Sequence, residues 1–514
     1  MEPHTDQIED VSFLLTASEA YVVLEEAFLD AREEIVAGFR IFDPTTHLLS
    51  ERAREIGTDW FDLVVHTLKR GVRITLILTD FDPVAAGEMH RATWRSVRLM
   101  HAAAEVSGRP ELLTCTATLH PAAVGWMPRL MLMIKSRPLL LAQIVALNAL
   151  SGAAWKRAWS EKPGLHSLVR HGKVGLRMRP LLIPPLQPVT HHQKMAVFDR
   201  ERLYIGGLDL DDRRYDTPDH EEPPRQTWHD TQLMVTGPVA KQAHAHLTSF
   251  RETVAGKSAP IATPGLLRTL SKPRRFNLGR MSPRTTVNEL ARVHYHLAER
   301  AERLIYLESQ FFRDRLLARR LAQAARKRPD LKLIVILPGA PEEVAFDGQR
   351  GPDQRFGEYL QAKYVSKVQR AFGDRAFFGT PVKNQSGGEG RGKVHGAPII
   401  YVHAKVSVFD ETDAVVSSAN LNGRSFRWDT EAGLWLTRPA DVATIRKRCF
   451  EHWLPDNPDP KLLSCDTAVE AWRTLAHQNA AASPEERQGF IVPYSTKPAR
   501  RFGRSLPGIP EDIV

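Results

Sequence analysis

Two stretches, HHQKMAVFD at residues 191–199 and VHAKVSVFD at residues 402–410, share the pattern His-x-Lys-x-x-x-x-Asp. One chance match in a chain of this composition is roughly a one in twenty-five event, and two are on the order of one in a thousand. Both stretches alternate like strands, and alternation sends residues i and i+2 to one sheet face. His192 and Lys194 therefore point together, as do His403 and Lys405. A small-residue turn and a polar cluster follow each motif at the same distance. Asp209 in GGLD lies 17 residues after His192, and Asn420 in SSANLNGRS lies 17 after His403. Equal offsets mark an internal repeat.

Working outward, residues 19–80 run helix (EAYVVLEEAFLDAREE), strand (IVAGFRIFDP), helix (WFDLVVHTLKRG) and strand (VRITLILTD). Residues 288–338 repeat the order with NELARVHYHLAERAE, RLIYLESQFF, LLARRLAQAARKRP and LKLIVILP. Such βαβ alternation predicts an α/β fold of mainly parallel sheets covered by helices. The chain divides into a first lobe at 1–257, a linker at 258–285 rich in Pro, Ser and Arg, a second lobe at 286–455, and a tail at 456–514. The second strand of each repeat lies 114 residues before its motif His in the first lobe and 66 in the second. About 48 extra residues are therefore expected in the first lobe, within an insertion at about 84–170.

The 514 residues, 42% hydrophobic and 25% charged, describe a globular chain of enzyme size rather than a disordered or fibrous one. Cys115, Cys449 and Cys465 have no metal-ligand spacing and form no disulfide framework, which fits a reducing compartment. The net charge of +10 favours anionic partners without choosing among them. The acidic start MEPHTDQIEDVSFLLTASEA carries no pattern of a secretory signal. Pro138 to Trp155 is free of charge for 18 residues, but a single crossing there would leave the strands on either side in opposite compartments. A helix that packs over the cleft or dips into a membrane interface is expected instead, with the protein cytoplasmic or peripheral on the membrane.

With its two motifs, YLESQFF (306–312), GGLDLDDRRYDTPDH (206–220), TWHDTQLMVTGP (227–238) and SSANLNGRSFRWDTE (417–431), the chain resembles the phospholipase D superfamily. In motif wording it is closer to eukaryotic-type phospholipases D than to cardiolipin synthases. The resemblance is broad over 19–82 and 180–440, weak over 84–170 and absent from the tail. It implies a duplicated, pseudo-two-fold fold with the active site between the lobes. Tyrosyl-DNA phosphodiesterases resemble the fold but lack the motif aspartates present here as Asp199 and Asp410.

Cleaving a phosphodiester requires a nucleophile, a proton donor for the leaving alkoxide, and positive charge on the non-bridging oxygens. Two histidines can supply the first two. Lys194, Lys405 and Asn420 would hold the phosphoryl oxygens. By resemblance, His192 is the nucleophile and His403 the acid. Asp230 and Glu431 are candidates for orienting the imidazoles, Glu431 standing 28 residues after His403. Asp199 and Asp410 are expected to support turns or the lobe interface, with Ser418 and Asn422 as further motif support. Asp209 stands where the second half has Asn420 and is left outside the catalytic set. No cofactor and no metal are required. His191 is expected in the core, His166, His171, His220, His229 and His395 as unpaired side chains, and SGGEGRGK (386–393) as a loop.

The function expected is hydrolysis of glycerophospholipids to phosphatidic acid and free headgroup, with or without headgroup transfer, by a monomer at a membrane surface. The competing readings are a nuclease of the same family, a cardiolipin or phosphatidyl transferase, and a catalytically weak membrane-binding scaffold. Nucleic acid is the less favoured partner, because no run of stacking aromatics in a basic groove is visible.

Overall fold

The computed structural model describes residues 5–173 and 175–514. The first half builds a sheet from β1 (Val11–Leu15), β2 (Glu34–Phe39), β3 (Arg73–Thr79), β4 (Leu113–Thr118), β5 (Met195–Phe198), β6 (Arg202–Gly206) and β7 (Thr231–Thr236). Their spatial order is β1-β7-β6-β5-β2-β3-β4. The second half builds one from β8 (Leu267–Lys272), β9 (Arg284–Asn288), β10 (Leu304–Ser309), β11 (Lys332–Ile336), β12 (Ala376–Pro381), β13 (Lys405–Phe409), β14 (Asp413–Ser417), β15 (Glu431–Leu436) and β16 (Ile491–Pro493). Its order is β9-β8-β15-β14-β13-β10-β11-β12-β16. The run β7-β6-β5-β2-β3-β4 matches β15-β14-β13-β10-β11-β12 term for term, so the repeat extends to topology.

The α/β architecture is as expected, but the sheets are mixed rather than mainly parallel. Only β2-β3-β4 and β10-β11-β12 pair in parallel. Each motif strand returns at once through a tight hairpin, β5 to β6 and β13 to β14, and a hairpin can only be antiparallel. Asp199 and Asp410 sit at those turns with φ of 52° and 54°.

Alternation places Val36, Met195 and Val197 in the core between the sheets, with Val406, Val408 and Val416 from the other half. Ile35, Ala37, Ala196 and Phe198 face outward onto helices α1 (Thr16–Asp30), α2 (Trp60–Lys69) and α3 (Gly87–Ser107). Burial on both faces explains why these strands read as nearly continuous apolar runs. The equivalent helices of the two halves begin alike: the Asp59 carboxylate caps α2 at Asp62 N, and Asp314 caps the helix Arg315–Lys327 at Leu317 N.

Three boundaries differ from the sequence expectation. The linker contributes β8, a buried strand beside β15, because Leu267–Lys272 finds backbone partners there that its composition did not announce. The tail contributes β16, which pairs with β12, and the helix Ala468–Ala481, whose Trp472 is fully buried against the second sheet. In the first half, α3 and β4 reproduce the helix Pro352–Phe372 and strand β12 of the second. The true insertion therefore begins after Thr118. It contains α4 (Trp126–Asn148), α5 (Gly152–Ser160) and a small hairpin, Val169–Gly172 with Gly175–Met178. These pack on a satellite core of Leu140, Ile144, Leu147, Leu165 and Leu176. The insertion leaves β4 and returns to β5 of the same sheet.

Candidate active site

His192 and His403 do not lie in the regular ladders, which begin at Met195 and Lys405. Backbone bonds from the opposite half hold each of them. The Thr430 carbonyl accepts from His192 N and Gln193 N at 2.8 and 2.9 Å. The His229 carbonyl accepts from His403 N and Ala404 N at 2.7 and 3.0 Å. Thr430 and His229 immediately precede Glu431 and Asp230, so the same strand ends deliver the carboxylates. His192 Nδ1 lies 3.1 Å from Glu431 Oε2, and His403 Nδ1 lies 2.5 Å from Asp230 Oδ2. Each imidazole is thus oriented by a carboxylate of the other lobe. The sequence reading had placed Glu431 by its offset from His403; the fold hands it to His192.

An imidazole that donates from Nδ1 keeps a lone pair on Nε2, the tautomer a nucleophile or base needs. The two ring centroids are 6.5 Å apart, too far for a direct hydrogen bond and close enough for both edges to reach one phosphoryl group. Burial, and then the Lys194 ammonium, push His192 well below the usual imidazole range. Burial and Lys405 do the same to His403. Both rings are neutral at rest, and an anionic phosphodiester between the lysines would favour protonating one of them.

Lys194 Nζ donates to the His192 carbonyl at 2.6 Å and stands 3.7 Å from Asp209 Oδ2. Lys405 Nζ donates to the His403 carbonyl and lies 2.7 Å from its Nδ1. Burial lowers both amines, Lys405 to about 7, and raises Glu431 to about 8. Ser418 donates to Glu431 Oε2 at 2.5 Å, and its carbonyl lies 3.2 Å from His192 Nδ1, which places it behind the His192 ring. Asn420 donates to Gln310 Oε1 at 3.1 Å, and its own Oδ1 is buried without a partner among the described residues. Asn422 is a helix cap, its Oδ1 accepting from Ser425 N at 2.9 Å.

The motif aspartates stand away from the chemistry. Asp199 accepts from Arg32 N, Glu33 N and Glu34 N at 2.8 to 2.9 Å. Asp410 accepts from Glu302 N, Arg303 N and Leu304 N at 2.8 to 3.0 Å. Each anchors the start of the neighbouring antiparallel strand, β2 or β10, and the two halves share its spacing from the Lys. Asp209 spends one oxygen on Ile41 N at 2.9 Å, so it buttresses the wall beneath Lys194.

Several functional candidates escaped the sequence reading. Phe42 bridges Leu210 as Phe312 bridges Leu421, so Arg40 occupies in the first half the place of Gln310 in the second. Arg40 is half-buried, its buried Nε has no hydrogen-bond partner among the described residues, and its charge bears on both histidines. Arg214 stacks at 3.8 Å over the Trp228 ring, which in turn lies 4.6 Å from the His403 ring. The alignment of the two half-repeats could have pointed to Arg40; nothing local points to Arg214.

His220 and His229, expected without partners, are buried and form a cluster with the half-buried His452. Asp216 Oδ2 lies 2.8 Å from His220 Nδ1, Glu308 Oε2 lies 3.0 Å from His229 Nε2, and His220 Nε2 lies 3.0 Å from His452 Nε2. The three could in principle hold a metal ion. However, the His229 and His452 rings stack at 4.5 Å with planes 30° apart, so their in-plane lone pairs do not converge on one point. The cluster is a hydrogen-bonded clamp that ties the helix Pro439–Trp453 to the backbone behind His403.

Two imidazoles just ahead of repeated strands, each oriented by a buried acidic side chain and flanked by a lysine, are the groups that phosphoryl transfer by a histidine pair requires. Residues 295–453 match the domain family described as "Cardiolipin synthase, PLD-like domain". Phospholipase D1 of Schizosaccharomyces pombe is 24% identical over 334 residues, covering 46% of this chain and 24% of that protein. Phospholipase D2 of Bos taurus is 23% identical over 368 residues, covering 58% and 39% respectively. These likenesses support membership of the phospholipase D superfamily. The chain spans well under half the length of those two relatives. Phosphatidylserine synthase of Haemophilus influenzae is similar at a TM-score of 0.49 and 12% identity, over 92% of this chain and 95% of that one.

Proposed function

We propose that the chain is a phospholipase D-type phosphodiesterase that hydrolyses glycerophospholipids to phosphatidic acid and a free headgroup. The observation that carries this reading is the crossed pairing of His192 with Glu431 and His403 with Asp230 around one small gap. His192 Nε2 attacks phosphorus, and the bond to the headgroup oxygen breaks. His403, protonated on Nε2 from solvent as the anionic diester binds between the lysines, gives that proton to the departing alkoxide. Water then gives a proton to His403, its oxygen attacks phosphorus, and the phosphorus–nitrogen bond breaks. Lys194, Lys405, Asn420 and Arg40 supply the charge and donors that the phosphoryl oxygens need. A small alcohol that reaches the intermediate replaces water, so headgroup transfer is the competing outcome.

The same reading assigns the protein to a membrane surface as a monomer, with a glycerophospholipid as its partner. Incubating purified protein with mixed phospholipids and weighing the products is the test. Phosphatidic acid is expected, diverted to a phosphatidyl alcohol by a primary alcohol, with retention at a chiral phosphorothioate because two in-line displacements occur. Cleavage of DNA or RNA without phospholipid turnover would replace this reading by the nuclease. Inversion would mean direct attack by water and remove the covalent intermediate.

A further inference from the structure

Helix α4 turns its apolar side to solvent. Met127, Met131, Ile134, Pro138, Leu141 and Val145 follow one another at intervals of three and four, which places them on one face. All six are exposed, Met131 at 78% and Ile134 at 82%. Leu140, Ile144 and Leu147 on the opposite face already fill the satellite core. The helix is long and apolar enough to cross a membrane, and only 22% of its most apolar stretch is buried. Scattered exposed apolar residues need no explanation, but a contiguous stripe this long does.

A second element extends the stripe. The turn between β8 and β9 exposes Phe276 at 88% and Leu278 at 65%. Its carbonyls cap the start of α4: Trp126 N donates to Asn277 O at 3.1 Å, Met127 N to Leu278 O at 2.8 Å and Gly125 N to Arg280 O at 2.8 Å. One surface is thus built from both halves of the chain. Its charge has a single sign. Residues 126–160 hold five Lys or Arg and no Asp or Glu, and residues 272–288 also hold five and none.

Topology puts this surface at the rim of the catalytic gap. The insertion leaves β4 at the end where neighbouring β3 finishes, and there Thr79 Oγ1 donates to the His191 carbonyl. It re-enters the fold at His192. The β8–β9 turn projects from the end of β8 that pairs Thr269 with Glu431, the partner of His192.

We infer that the α4 stripe and the β8–β9 turn dock the chain on an anionic phospholipid bilayer, apolar residues in the interface and basic ones among the headgroups. This deepens the proposed function and rests on it, since docking here brings lipid to the histidine pair. A helix with this division lies in the plane of the interface, and its binding gains from both buried apolar area and attraction to anionic lipid.

The test is co-sedimentation of the full chain with vesicles of phosphatidylcholine, alone or with phosphatidylglycerol, alongside turnover of a soluble short-chain phosphatidylcholine. Wild type is expected to sediment with the anionic vesicles, less so as salt rises. Met131→Ser with Ile134→Ser should weaken partitioning about tenfold or more on every vesicle. Arg275→Glu with Arg280→Glu should erase the preference for phosphatidylglycerol. Both variants should turn over the soluble lipid as wild type does. The inference is overturned if either pair leaves partitioning unchanged, or if wild type stays in the supernatant while hydrolysing soluble lipid. Self-association through the stripe, abolished by the serine pair with vesicle binding unchanged, would equally overturn it in favour of a second copy. Vesicle binding without turnover of any phospholipid would sink the catalytic reading and leave the docking surface standing.

Discussion

Replacing Asp230 by Asn keeps the size of the side chain and removes the charge that accepts from His403 Nδ1. A hydrogen bond to a charged group contributes about 1.5–3 kcal/mol net. At about 1.36 kcal/mol per tenfold in rate, its loss predicts a fall of about tenfold to 150-fold in kcat. The crossed pairing makes that fall depend on the leaving group. In the proposed cycle His403 is the proton donor, and a nitrophenolate leaves without one. Asp230→Asn should therefore slow a short-chain phosphatidylcholine strongly and the matching phosphatidyl-nitrophenol little. Glu431→Gln weakens the nucleophile and should slow both substrates by a similar factor. The effect should widen as pH rises through about 8, where Glu431 acquires its charge. The pre-steady-state release of each leaving group from monomeric substrates decides it, because it precedes the water step in which His403 serves both substrates alike. Equal loss on both substrates for Asp230→Asn, with a leaving-group dependence for Glu431→Gln, would refute the crossed assignment once the phosphorylated residue has been mapped to His192.

His192→Ala and His403→Ala should each lower turnover by about a thousandfold or more, with a phosphoenzyme trapped only where His192 remains; mass mapping of the adduct to His403 would reverse the two roles. Burial holds Lys405 down to about 7, so its ammonium is lost as pH rises through that value and kcat/KM on a soluble substrate should fall on the alkaline side. Lys405→Arg should flatten that limb of the profile. Arg40→Met should raise KM about tenfold by removing a cation from the phosphoryl pocket, and an unchanged KM would take Arg40 out of the site. Asp410→Ala removes the acceptor of three backbone N–H groups and should cost about 2 kcal/mol of stability, read as a lower melting temperature with unchanged kcat per folded molecule. A fall in kcat without a loss of stability would put Asp410 in the chemistry after all.

What could be read from the residue order is what repeats locally. The two His-x-Lys pairs, their equal spacing to Asp209 and Asn420, and the helix–strand–helix–strand run before each motif all lie within short segments, where backbone periodicity alone governs which side chains share a face. The motif aspartates, expected at turns or the lobe interface, bind backbone N–H groups at two tight turns.

The long-range features depended on tertiary pairing. His192 and Glu431 lie 239 residues apart and His403 and Asp230 lie 173 apart, so no spacing rule could say which carboxylate serves which ring. Arg40 and Gln310 became equivalent only when Phe42 and Phe312 were seen to bridge matching leucines. Leu267–Lys272 read as linker because a strand's hydrogen bonds are made by its neighbours, here β15 and β9, and its own composition carries no trace of them. The apolar run near Pro138 was visible from the start, but whether it faced core or solvent was settled by packing. The satellite core needs one side of α4, and among the described residues nothing covers the other.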